Sequence, residues 1–446
     1  MSADAPASGS VFTRPATRGQ VAAWALWDWG SAAFNAVILT FVFSVYLTDA
    51  VGDDLPGNVS ANSWLGWSLG AAGFVIAVIA PVTGQRADAA GKRRLSVGVW
   101  TALTVASMAG LFAVRDDWRY LWLGLLLLGL GSIFFELAEV SYNAMLKQVS
   151  TPATVGRVSG FGWAMGYVGG IALLLLSYAG FIAGEGDTRG FLGVATEDGW
   201  NIRLVALLAA AWFAISAIPL LLAVPEPPRA ENLPRRLGVV GSYRKLFADL
   251  RTLYRENPHT VYFLGASALF RDGLAAVFTF GAVFAVTVYG INEGDVLIFG
   301  VAANVVSALG ALVAGRIDDR VGPKPVIVVS LVGMLICGVV LLLLSGPTAF
   351  WVWGLALCLF VGPTQSSSRT FLVRLTPAGH EGQMFGLYAT TGRVVSFLAP
   401  TLVGAATFVF GSDRAGMVGI LLVLAAGLLA LLPVRSPGEA SVRYQI

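Results

Sequence analysis

The sequence predicts an all-α polytopic membrane protein of twelve transmembrane helices in two pseudo-symmetric six-helix bundles. Three observations predict it. Of 446 residues, 56% are hydrophobic and only 12% charged, where soluble domains carry about 45–50% and about 25%. Mean hydropathy is +0.75. The apolar residues come in runs long enough to cross a hydrocarbon core of about 30 Å. Finally, one loop motif recurs at matching places in the two halves. So few charges do not coat a soluble protein of this length, which excludes a water-soluble enzyme. Cys337 and Cys358, the only cysteines, sit inside apolar runs and offer neither a disulfide framework nor a metal cluster.

Taken in order, residues 1–20 are polar, hold Pro6 and Pro15, and read as a disordered tail. Twelve spans follow: 21–47, 62–85, 95–114, 118–144, 155–182, 200–223, 259–289, 294–316, 325–345, 349–373, 381–410 and 414–433. They are helices, because lone strands in lipid leave backbone groups unpaired and the alternating ten-residue segments of a membrane barrel are missing. No small-residue cleavage site follows the first span, so it is expected to be retained. Residues 21–223 and 259–433 are the two bundles, 224–258 the linker and 434–446 a second tail. The linker opens on Pro225-Glu226-Pro227-Pro228, which stops a helix. Leu246, Leu250 and Leu253 then recur at helical spacing among charges. That is either an amphipathic helix on the membrane surface or a solvated linker helix.

Orientation follows from the basic residues. With the N-terminus cytoplasmic, inside segments hold 22 of the 29 Lys and Arg, outside segments five, and Arg271 and Arg393 lie within spans. The excess places both termini inside, and the plasma membrane is the expected location.

The repeat lies after the second span of each half. Gly84, Asp88, Gly91 and Arg93 map onto Gly315, Asp319, Gly322 and Lys324 at a single offset, the mark of two related six-helix halves. Arg94 completes the first copy and Arg320 belongs to the second. Ala89 stands in the first copy where the pattern G-x-x-x-D-(R/K)-x-G-x-(R/K)-(R/K) wants a base, which weakens a charge relay through it. An aspartate at such a loop suits the N-terminus of a facing helix, where N–H groups lack partners.

This pattern resembles the loop motif of the major facilitator superfamily. Longer stretches narrow the resemblance: WALWDWGSAAFNAVILTFVF from Trp24, SYNAMLKQV and GRVSGFGWAMGYVGG around spans 4 and 5, and GPTQSSSRTFLVRLTP with FGLYATTGRVVSFLAP in spans 10 and 11. Together they are similar to the branch that includes the yeast vacuolar amino-acid effluxers of autophagy and their bacterial relatives. The resemblance implies that spans 2 and 11 face each other, as do spans 5 and 8. It pairs Asp88 with the start of span 11 near Gly382, and Asp319 with the start of span 5 near Gly156. Glycines in these four spans fit close, sliding contact. It further implies that spans 1, 4, 7 and 10 line a central cavity.

Ionisable residues at membrane depth are costly, about 2.5–3.5 kcal/mol on insertion scales, so each asks for a reason. Span 1 carries Asp28, Ser31 and Asn35 on one stripe, and span 4 carries Glu136, Glu139 and Asn143 on another. Span 7 holds Arg271 and Asp272, span 10 Gln365 and Arg369, and span 11 Arg393. Glu136 and Glu139 repel each other one turn apart, which suits proton carriage; the alternative is a structural pair with Arg369 or Arg157. Asp28 reads as a tie near the cytoplasmic gate or as a substrate contact. Arg271 reads as the partner of a substrate carboxylate or of Asp272 or Glu136, and Arg393 as a pairing residue. Trp24, Trp27 and Trp29 form either an apolar gate or an aromatic belt.

The expected activity is secondary transport of a small organic solute by alternating access. An amino acid, moved by efflux, comes first by resemblance. The alternatives are an exporter of amphipathic or drug-like compounds and a non-transporting scaffold. The expected partners are that solute, the lipid bilayer and protons, with no nucleic acid, no cofactor, no metal and a monomeric chain. An ATP-driven pump is excluded at Gly91-Lys92, because Arg86 and Arg93 stand where a P-loop needs Gly and Ser or Thr.

Overall fold

The computed structural model describes residues 16–226 and 239–435. Of the predicted tails at 1–20 and 434–446, residues 1–15 and 436–446 lie outside the described residues, as do linker residues 227–238. Among the described residues, twelve helices are long and apolar enough to span a membrane: Arg18–Ala50, Ala61–Ala90, Arg93–Ala113, Trp118–Ala144, Val155–Ile182, Glu197–Ala223, Pro258–Thr287, Asp295–Val321, Pro323–Leu343, Pro347–Leu375, Glu381–Phe410 and Asp413–Leu431. They are numbered spans 1–12. Span 1 begins before the expected edge because Thr17 and Gln20 close a capping box over its first turn. Ser60 caps span 2, Pro258 and Pro323 open spans 7 and 9, and Gly91 ends span 2 at a positive φ of 60°.

Neighbour relations in one half recur in the other. Span 1 packs on spans 5 and 6, span 4 on spans 2 and 3, and span 3 on span 6. Likewise span 7 packs on spans 11 and 12, span 10 on spans 8 and 9, and span 9 on span 12. The halves meet through spans 2 and 11 and through spans 5 and 8. The chain therefore forms two pseudo-symmetric bundles of an integral membrane protein.

The ends of this interface that carry the chain termini (the tail side) are shut, and the opposite ends are apart. On span 2 a side chain at Gly84 would strike the Gly382 carbonyl, and on span 5 one at Gly156 or Gly160 would strike the backbone of span 8. At Gly66 and Gly70 of span 2, Gly300 of span 8 and Gly404 of span 11, farther along these helices, a side chain would meet nothing within 4 Å. Two prolines tighten the packing. Pro81 removes the N–H that would bond the Ala77 carbonyl, and Thr390 of span 11 donates to that oxygen instead at 2.8 Å. Pro363 leaves the Leu359 carbonyl free, and Gly310 of span 8 seats against it.

Two spans are irregular where they face the interior. Span 1 widens to π-helical bonding over Ala33–Phe41. Span 11 breaks after Val395 and restarts at Leu398. Such backbone is tolerated at membrane depth where it lines a cavity or is buried in protein.

Candidate functional site

Polar groups between the halves form three layers. The tail-side layer is built from the repeated loops. Asp88 accepts from the backbone N–H of Gln383 at 2.9 Å at the start of span 11. Asp319 accepts from Gly156 at 2.7 Å and from Arg157 at 3.3 Å at the start of span 5. Each carboxylate thus satisfies orphan donors of a helix in the opposite half.

Arg93 fills the gap left by Ala89. It binds Asp88 at 2.7 Å and Glu381 at 2.5 Å, and Lys147 meets Glu381 at 2.9 Å. Among the other motif residues, Arg94 bonds the Val224 carbonyl, while its N–H and that of Leu95 are accepted by Glu226 beyond span 6. Lys324 donates to the Leu432 carbonyl, Arg320 is exposed, and Gly322 turns the chain at φ 87°. Gly315 packs on the Gly156 carbonyl.

The second layer centres on Arg369. Its guanidinium binds Asp28 at 3.3 Å, Asn143 at 3.1 Å, and the Ser159 hydroxyl and carbonyl at 3.0 and 2.7 Å. Trp24, Tyr142 and Trp163 surround it at cation–π distances of 5.0–5.9 Å. Tyr142 donates to Asp28 at 2.8 Å. A desolvated charge persists only when paired and fully hydrogen-bonded, and this arginine has both. Trp24 and Trp27 are wholly buried against Tyr142, which overturns the belt reading for them, because belt residues face headgroups. Trp29 stacks on Trp212.

The third layer is a cavity of about 310 Å³ between spans 1, 4, 7 and 11. Its walls include Asn35, Glu136, Glu139, Arg271 and Arg393. Gln365 and Arg369 are not among the lining residues: the tail-side end of span 10 is committed to the Arg369 seal, and the broken span 11 takes its place at the cavity wall. Glu136 pairs with Arg393 at 2.5 Å, joining the halves. Neither glutamate pairs with Arg369, which is held by Asp28, or with Arg157, which binds Asp319 at 3.2 Å.

Asp272 does not pair with Arg271 either. Its carboxylate accepts from the Ala399 N–H at 2.7 Å and so caps the restarted half of span 11. Arg271 lies flat on the Tyr388 ring, 3.7 Å from its centre, and donates to the Tyr388 carbonyl at 2.9 Å. Among the described residues Arg271 and Glu139 form no ion pair, and the hydrogen bond recorded for the Glu139 carboxylate comes from Asn143 at 3.5 Å. One cation and one carboxylate therefore line the same cavity without a direct ion pair among the described residues.

Glu381, Lys147, Tyr142, Ser159 and Tyr388 were not among the sequence-predicted residues. The first two sit at span edges, where charge is ordinary. The other three are common residue types in membrane helices.

The chain has known relatives in sequence and in fold. The family model described as "Vacuole effluxer Atg22 like" matches residues 147–438. The chain belongs to this Atg22-like family of the major facilitator superfamily. It is 24% identical over 423 residues to the uncharacterized MFS-type transporter YxiO of Bacillus subtilis, covering 95% of this chain and 96% of that protein. It is 28% identical over 305 residues to autophagy-related protein 22-1 of Aspergillus fumigatus, covering 62% of this chain and 48% of the fungal protein. The Atg22-like chain thus spans about half the length of that fungal relative. Among solved structures it is similar in fold to the proton:xylose symporter XylE, with TM-score 0.71, 16% identity and coverage of 93% and 94%. A bacterial homologue of ferroportin in an outward-facing state matches with TM-score 0.64, 15% identity and coverage of 95% and 98%. The protein is an MFS transporter and not an enzyme.

Proposed function

We propose that this Atg22-like transporter moves a small zwitterionic solute, an amino acid first, by alternating access, and that it works in efflux from the cytoplasm across the plasma membrane. The observation that carries the substrate class is the pair of unpartnered charges in one cavity. Arg271 offers a planar, bidentate donor to a carboxylate, and Glu139 offers an acceptor to an ammonium. A zwitterion would give each of these charges a directly hydrogen-bonded opposite charge, which a neutral amphipathic compound does not.

The tail side takes the cytoplasmic position, supported by the excess of Lys and Arg there. The cavity then faces outward, because the two cross-half layers shut the cytoplasmic end. Opening that end requires Asp88 and Asp319 to leave the helix starts they cap and Arg369 to leave Asp28. Glu136–Arg393 acts as a gate across the cavity, and Glu139 is the residue left for proton carriage.

The test is exchange of radiolabelled amino acids by purified protein in liposomes, with and without a pH gradient. Saturable exchange lost in Arg271→Ala and Glu139→Gln supports the reading. Exchange of cationic amphiphiles unaffected by either change would replace it with the drug-exporter reading.

A further inference from the structure

The linker helix Val239–Glu256 plays no part in the site described above. One face of it is bound to the protein. Leu246 and Leu253 are buried. Tyr243 donates to the Val78 carbonyl of span 2 at 2.8 Å, and Gln85 of span 2 donates to Asp249 at 3.3 Å. Tyr254 packs edge-on against Tyr262 of span 7, and Asn257 joins the helix directly to that span. The helix therefore ties span 2 of one half to span 7 of the other.

These contacts also fix its depth. Gln85 is the last residue of span 2 before its first charge, Arg86, and Val78 lies seven residues deeper. At 1.5 Å per residue that is about 10 Å below this polar edge of the span. An interfacial helix buries its apolar face about 5–10 Å into the headgroup and acyl boundary.

The other face has the matching chemistry. Val240 and Phe247, seven residues apart on one stripe, are 81% and 68% exposed. Arg244, Arg251 and Arg255 are exposed and Lys245 is half-buried. Asp249 is engaged with Gln85, which leaves Glu256 as the other acid of the helix. An exposed apolar stripe edged by four bases at headgroup depth complements an anionic lipid surface.

We propose that the linker helix docks on anionic phospholipid headgroups of the tail-side leaflet through Arg244, Lys245, Arg251 and Arg255, with Phe247 in the acyl boundary, and that this docking favours the tail-closed state. A helix anchored in the leaflet and latched to span 2 opposes the separation of spans 2 and 7 that tail-side opening requires.

The full chain is reconstituted in vesicles of phosphatidylcholine alone and with one part in four phosphatidylglycerol. A nitroxide at Phe247→Cys reports oxygen against nickel-chelate accessibility, and a spin-label pair at Ala90→Cys and Ala378→Cys reports the tail-side distance. Phosphatidylglycerol is expected to raise the oxygen-to-nickel ratio and to deepen the short-distance population. Replacing all four bases by Gln should abolish the phosphatidylglycerol effect on both readouts. Tyr243→Phe combined with Asp249→Ala, which keeps the bases and removes both hydrogen bonds to span 2, should keep the depth signal and lose the distance response. A label equally open to water in both vesicles overturns the proposal and makes this a solvated linker helix. An undiminished response in the four-base variant overturns it as well. Size-exclusion profiles and thermal unfolding matched to the parent show that each variant is folded.

Discussion

At the scale of single residues, the site is a matter of which charges are spent and which are free. Asp28 and Arg369 are spent on each other: their side chains are 16% and 5% exposed, and removing one leaves the other desolvated. Breaking a buried pair from one side costs about 3–5 kcal/mol. If the tail-closed state alone holds that pair, Asp28→Asn should shift the population toward tail-open by a factor of roughly 100 or more. Double electron–electron resonance across the tail side checks this, and an unchanged distance distribution would sink it. Arg271 and Glu139 are in no ion pair among the described residues, and their loss should act on binding rather than on this equilibrium. A charge-assisted hydrogen bond is worth about 1.5–3 kcal/mol, so Arg271→Ala should weaken substrate binding roughly 10- to 100-fold. Arg271→Lys should recover only part of that, because it loses the bidentate fork. Isothermal titration on detergent-solubilised protein separates the two outcomes.

At the scale of elements, what decides the packing is where backbone meets backbone. Gly84 and Gly156 sit where spans of opposite halves touch, and any Cβ there collides with a carbonyl; Gly70 faces open space. Gly84→Leu should therefore hold the tail side open, measured as a longer distance between spin labels at Ala90→Cys and Ala378→Cys, while Gly70→Ala should leave it shut. Equal behaviour of the two variants would show that these glycines do not govern closure. This level was partly legible in the sequence. The spans were readable from apolar runs, and Asp88 and Asp319 from a single offset, because each signal is local or exactly repeated. The partnerships Asp28–Arg369 and Glu136–Arg393 join residues 341 and 257 apart, and they depend on how each helix is rotated about its axis, which spacing along one helix does not determine. Asp272 shows the same limit. Its role as a cap follows from the break in span 11, whose one cue is Pro400, a residue that disfavours the turn before it. Span 10 was expected at the cavity wall by resemblance, and the Arg369 seal withdraws it.

At the scale of the whole molecule, the two bundles touch over the tail half and part over the other, so the chain is caught with one face shut. Alternating access requires that shutting one face accompany opening the other. Ser159 and Gly66 report the two faces. The Ser159 side chain is fully buried and donates across the halves to the Ser366 carbonyl at 2.8 Å, whereas Gly66 has open space around it. In the resting protein, a cysteine at Gly66 should react quickly with a membrane-impermeant maleimide and one at Ser159 slowly, each offered reagent from its own side. Added substrate favours closure of the cavity around Arg271 and Glu139, and from that occluded form the protein can open to either face. Labelling should then slow at Gly66 and quicken at Ser159, with the two changes tied in a common dependence on substrate concentration. Both cysteines reacting quickly at once would describe a channel. Neither rate moving with any solute that binds would leave the two layers as fixed struts, and the transport cycle proposed here would fall.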